Sequence, residues 1–141
     1  MPSITFRSPD DTPALVMGDL VPPGPLREKI GEGEMSNRKR DFHPGGPEAL
    51  QMFEVEMEPN GGPHPHAHAE DEIMFVLEGE MHFGRRVLTP GCSAYIPAYT
   101  LYSFRAGPQG LRFLNFRGRK DSAYFTTEEL RARQAAGATA P

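Results

Sequence analysis

An all-β barrel or sandwich is the fold class that this sequence predicts, on three observations. The 141 residues include 15 glycines and 15 prolines, too many for a helix bundle, since both residue types interrupt helices. Short runs rich in Val, Ile, Phe, Leu and Tyr recur between turn residues, as in a chain of many short strands. From Phe53 to Glu58 apolar and polar residues alternate, which is the period of a half-buried strand. The length fits one domain with one ordinary core.

Residues 1–48 are punctuated by Pro22-Pro23-Gly24-Pro25, by Gly31 and Gly33, and by Pro44-Gly45-Gly46-Pro47. They predict an extended arm with short edge strands at residues 14–17 and 35–41. The small basic cluster Asn37-Arg38-Lys39-Arg40 reads as a solvated strand face. Residues 49–118 carry the barrel core. A strand covers residues 50–58 and ends at the turn Pro59-Asn60-Gly61-Gly62-Pro63. The run EIMFVL, residues 72–77, is apolar on both faces apart from its first residue, so burial on both is expected. A tight turn at Glu78-Gly79-Glu80 follows. Further strands are expected at residues 81–83, 85–88, 93–96, 101–105 and 111–116, the last two separated by Gly107-Pro108-Gln109-Gly110. Residues 119–141 form a short helix and tail. Thr126 can cap that helix and Glu129 completes a capping box, with the helix running to about residue 136. No internal repeat is visible, so the three segments make one domain.

The net charge of −4 gives no electrostatic case for nucleic acid as a main partner. No apolar run approaches the roughly 20 residues that span a bilayer, and the first residues lack the basic-then-apolar pattern of a secretory signal. Cys92 is the only cysteine. That argues against a disulfide scaffold and suits a reducing cytosol, so a cytoplasmic protein is expected. Cys92 itself reads as a small packing residue near a strand.

Histidine is sparse, five in all, yet His64, His66 and His68 share the window PHPHAHAED. Pro63 and Pro65 keep that window extended. Residues two apart then point to the same side, so His66 and His68 present two imidazoles to one point. Glu72 opens the next strand and can add a carboxylate. Two imidazoles and a carboxylate suit a divalent transition metal with open positions. The plainer alternative is a solvated polar loop. His64 could be a further ligand, a hydrogen-bonding support for a ligand, or exposed; the last two are favoured. His82 reads as structural or solvent-facing.

The stretch HAHAEDEIMFVLEGE resembles the first motif of the cupin family: His66-x-His68, three residues, Glu72, then six residues to Gly79. The second motif resembles the family too, from Gly91 through Pro97 to Ala98-Tyr99-Thr100-Leu101-Tyr102-Ser103-Phe104. The resemblance covers roughly residues 50–116. It implies an antiparallel jelly-roll β-barrel holding one divalent ion (Fe, Zn, Mn or Ni) through His66, His68 and Glu72. The sequence departs from the family at Tyr99, where a glycine is usual, and at Tyr102, where a metal-binding histidine is usual. Three readings follow, in order of preference: a metal on three protein ligands, a metal with Tyr102 as phenolate ligand, or a site that binds no metal.

The function expected from this is a metal-dependent enzyme acting on a small organic molecule, with oxygenase chemistry slightly preferred. The alternatives are redox-neutral isomerase, lyase or polyketide-cyclase chemistry, and a non-catalytic binding barrel. Tyr102 and Tyr99 are the candidate proton donors or acceptors. Phe53, Met74, Val76, Phe104 and Phe113 are the candidate substrate-lining residues. A homodimer is expected, because sheet edges and the short apolar pieces of the arm call for cover.

Overall fold

The computed structural model describes residues 1–137. Nine strands and three short α-helices follow one another as β1 (Leu15–Val16), α1 (Met17–Leu20), α2 (Pro25–Ile30), a 3-10 turn (Glu32–Glu34), β2 (Arg38–His43), β3 (Gln51–Met57), β4 (His66–His68), β5 (Glu72–Phe83), β6 (Arg86–Leu88), β7 (Ser93–Ile96), β8 (Arg105–Arg117), β9 (Tyr124–Thr126) and α3 (Thr127–Ala135). Every strand pairing is antiparallel. The larger sheet runs β1-β2-β3-β8-β5-β6, with β7 also on β5, and β4 pairs β9 in a small second sheet. This is the expected all-β, cupin-type jelly-roll architecture with a short C-terminal helix.

Alternation builds the core. Phe53, Val55 and Met57 of β3 are buried, as are Leu111 and Phe113 of β8 and Met74, Val76 and Met81 of β5. These side chains and their neighbours form one cluster inside the curved sheet. Burial of this apolar surface is the main stabilising term.

Several local expectations are corrected. The run at residues 72–77 is not buried on both faces: Ile73 and Phe75 lie exposed on the outer side. The expected turn at Glu78-Gly79-Glu80 is instead an irregularity inside the continuous strand β5, with register shifts against β8 on either side of it. Gly79 has φ +74°, and a Cβ there would lie 2.1 Å from the carbonyl oxygen of Gly110. Only glycine lets the two strands approach so closely. Likewise the segment 107–110 lies within β8. Residues 101–104 form no strand, apart from one backbone bridge between Tyr102 and His66.

The arm is more structured than expected. Pro25 opens α2 at a position where its missing N–H costs nothing. Arg27 then donates to the carbonyls of Gly18 and Val21 at 3.1 and 3.0 Å and pairs with Glu32 at 2.7 Å. Val21, Ile30 and Met35 pack as a second small cluster against Met17 and Tyr124. The arm therefore folds back as a lid on the barrel mouth. Of the basic cluster, only Arg38 is exposed: Lys39 sits over the Phe53 ring at 4.4 Å, and Arg40 donates to the carbonyls of Pro9 and Thr12. At the other end, Thr126 and Glu129 make the expected capping box of α3. The tail beyond residue 137 lies outside the described residues.

Candidate active site

The mouth of the barrel encloses a cavity of about 190 Å³. Its floor is Phe53, Met74, Phe104 and Phe113, four of the five expected lining residues. Val76 is the exception: it is fully buried in the core beneath and does not reach the cavity. The polar wall comes from His66, His68, Tyr102, Tyr124, Asn115 and Arg117, and the arm adds Glu34.

Local structure fixes the two imidazoles. His66 and His68 occupy alternate positions of β4 and their rings meet edge to face, 4.9 Å apart. His66 Nδ1–H donates to the carbonyl of His64 at 2.7 Å. His68 Nδ1–H donates to Asp121 Oδ2 at 2.7 Å. In both rings Nε2 is left as the acceptor. The His64 ring itself is exposed and packs over Gly31; what it contributes is its carbonyl. Burial lowers the pKa of His66 to about 4, so that ring is neutral at physiological pH. Burial pushes the Asp121 carboxyl up, but His68, Arg117 and the Ala69 amide together hold it below its usual value.

Tyr102 is placed by backbone pairing with His66, N to O at 3.0 and 3.1 Å. It stacks parallel to Phe104 at 6.4 Å, so the two share one face despite the missing strand. Its hydroxyl donates to Glu72 Oε1. Burial and the neighbouring Glu72 charge push the phenol's pKa well above its ordinary value. Tyr99 goes elsewhere. Its φ of +59° is a left-handed conformation that suits glycine better than tyrosine. It turns the ring away from the cavity, against Phe125 at 5.6 Å and beneath the Arg133 guanidinium at 4.7 Å. The expected catalytic role of Tyr99 is therefore withdrawn.

Glu72 also differs from expectation. It is 2 % exposed and is not among the side chains lining the cavity. Its carboxylate lies behind the wall, where Oε2 accepts from Asn115 Nδ2 at 3.2 Å and from Arg117 Nε at 3.1 Å. The Arg117 terminal nitrogen lies 3.0 Å from the same oxygen and 3.4 Å from His68 Nε2. The cross-strand register Glu72↔Arg117 sets this pairing.

These donors meet the needs of a metal ion only in part. The imidazole tautomers suit one. The carboxylate and His68 Nε2, however, already face the Arg117 guanidinium, whose fixed positive charge opposes a cation beside them. Among the described residues, no group of three His, Cys, Asp or Glu side chains is arranged to hold a metal ion. As arranged, the set does not fit the expected ion.

Sequence reasoning missed Arg117, Asn115, Tyr124, Asp121 and Glu34. The first two lie near the end of β8, whose facing the sequence does not assign, and the others come from the arm and the C-terminal segment. His82 lies far from the mouth, paired with Glu80 at 3.0 Å.

The comparisons with known proteins agree with this architecture. The cupin domain family matches residues 53–116. The polyketide cyclase RemF from Streptomyces resistomycificus shares 23% identity over 94% of this chain and 94% of that one, with a TM-score of 0.65. An RmlC-like cupin from Shewanella frigidimarina shares 20% identity over 86% of this chain and 93% of that one, with a TM-score of 0.57. A cupin-2 domain protein of Rhodospirillum rubrum shares 17% identity over 94% of this chain and 86% of that one, with a TM-score of 0.59. Among proteins of curated function, none matches this sequence. Residues 53–116 thus carry a match to the cupin domain family, and the chain shares the jelly-roll fold of these solved structures. Among the described residues, no helix is long and apolar enough to cross a membrane.

Proposed function

We propose that this protein is a redox-neutral enzyme that moves protons on a small, largely apolar organic molecule. The observation that carries the reading is the placement of Arg117. Its guanidinium pairs with Glu72 and reaches His68, so the polar wall holds a permanent cation of its own beside its imidazoles and phenols. Apolar walls with a few convergent polar groups are the usual form of a small-molecule site. The preference for oxygenase chemistry rested on a metal, and the donor set is not arranged for one. This fold carries a polyketide cyclase in one relative, although fold alone does not transfer activity.

The runner-up is the metal-dependent version of the same site, favoured by the Nδ1 anchors of His66 and His68. The unpaired Cys92 suits a reducing compartment such as the cytosol. The test uses a ring ketone with acidic α hydrogens, 2-tetralone, in deuterated buffer with EDTA and without oxygen. The protein is expected to accelerate hydrogen exchange over buffer, read by proton NMR. Acceleration that appears only after iron is added, with oxygen uptake, would return the reading to oxygenase chemistry.

A further inference from the structure

We propose that Glu34 is the catalytic acid–base residue of this cavity, acting on a carbonyl-bearing ring compound that Tyr124 and Asn115 hold by its oxygen atoms. The inference rests on the proton-transfer reading above and deepens it by naming the residue and the ligand's functional groups.

Most titratable groups in the cavity wall are committed. His66 is tied to the His64 carbonyl, His68 to Asp121, and Tyr102 to Glu72. Arg117 is paired with Glu72, and Lys39 pairs with Asp41 at 3.4 Å. Glu34 is different. The 3-10 turn of the folded-back arm carries it onto the same cavity. Its one side-chain hydrogen bond is a long one, 3.4 Å from Asn37 Nδ2, and among the described residues it has no ion-pair partner. Burial alone pushes its carboxyl up to about 7. Both protonation states are then populated near neutral pH, as a group that takes and returns a proton requires.

Two further atoms in the lining of the same cavity bear on its occupant. The Tyr124 hydroxyl and Asn115 Oδ1 are buried and have no hydrogen-bond partner. Buried polar atoms are nearly always satisfied, so unsatisfied ones in a cavity wall point to a ligand. Asn115 donates through Nδ2 to Glu72, which leaves Oδ1 as an acceptor for a hydroxyl or N–H group. The Tyr124 hydroxyl, whose ionisation burial disfavours, is a donor suited to a carbonyl oxygen. The Tyr124 ring stacks on His66 at 4.9 Å, nearly parallel, which holds that donor in place.

The step balances without a co-reactant. The carboxylate of Glu34 takes a proton from the carbon next to the carbonyl. The C–H electron pair moves into the new C=C bond and the carbonyl π pair onto oxygen, giving an enolate that accepts from the Tyr124 hydroxyl. The Glu34 carboxyl exchanges that proton with solvent and delivers a solvent-derived one to the carbon, the enolate C=C pair forming the new C–H bond as the carbonyl is restored.

The experiment compares wild type, Glu34→Gln and Glu34→Asp by exchange into 2-tetralone and by calorimetric binding of 2-naphthol, an analogue of its enol. Glu34→Gln is expected to bind 2-naphthol within about threefold of wild type, yet to lose at least roughly 100-fold in exchange rate, in the range general bases supply. Glu34→Asp should keep part of the rate. If wild type exchanges the ketone and Glu34→Gln does so within about twofold, the role of Glu34 is overturned while the proton-transfer reading survives. If wild type neither binds 2-naphthol nor exchanges 2-tetralone, both fall.

Discussion

Arg117 and Glu72 face each other across β8 and β5, with a guanidinium nitrogen 3.0 Å from the carboxylate and both side chains almost fully buried, 10 and 1 % exposed. Breaking a buried ion pair from one side leaves an uncompensated charge and costs about 3–5 kcal/mol. Arg117→Met should therefore lower stability in urea by about that amount. It should also free Glu72 and His68 for a cation. Zinc is expected to raise the melting temperature of Arg117→Met well above its effect on wild type. A wild type that loads one equivalent of zinc as tightly as the variant does would show that the guanidinium does not block the ion.

Tyr102→Phe removes only the hydroxyl that donates to Glu72. Asn115 and Arg117 still serve that carboxylate, so stability should fall by at most about 1–2 kcal/mol. Exchange of 2-tetralone should fall more than stability does, because the ring borders the cavity. Equal losses in both measurements would make Tyr102 a packing residue.

The buried carboxyl of Glu34 gives a distinctive pH dependence. Its pKa is raised to about 7 from about 4.3 in an unfolded chain. The folded state therefore favours the neutral acid. That contribution is complete below about pH 4.3 and is lost as pH rises through 7. Allowing for partial exposure, wild type should lose about 2 kcal/mol relative to Glu34→Gln between pH 5 and pH 8. Urea denaturation of both proteins across that range checks it, and parallel pH profiles would refute it.

The outer face of the larger sheet carries an apolar trough of about 560 Å³, lined by Leu50, Met52, Ile73, Tyr95 and Phe116 among others. Phe75 lies exposed on the same strand as Ile73. Exposed apolar patches of this kind mark interaction surfaces, and a second copy of the chain is the simplest partner for one. Light scattering at micromolar concentration should give a dimer mass for wild type and a monomer mass for Ile73→Asp. A monomeric wild type would remove the prediction.

The sequence by itself determined what local pattern can specify. Alternation placed Phe53, Val55 and Met57 inward, the proline-flanked HPHAH spacing put His66 and His68 on one side, and Thr126 with Glu129 marked the start of α3. Each of these depends on neighbours only a few residues away. What the site contains depended instead on pairing between distant segments. Arg117 meets Glu72 across 45 positions of sequence, through a register that runs unbroken from Glu72↔Arg117 to Val76↔Phe113. Because side chains alternate with a period of two, one residue of slip would have put Arg117 on the outer face. Glu34 reached the cavity only because α1 and α2 fold the arm back, and Tyr99 left it only because a left-handed backbone turned its ring toward Arg133. Strand identity is a local property of the chain. Which charges share a buried point is decided by register and closure, and in this barrel those two set the chemistry of the cavity.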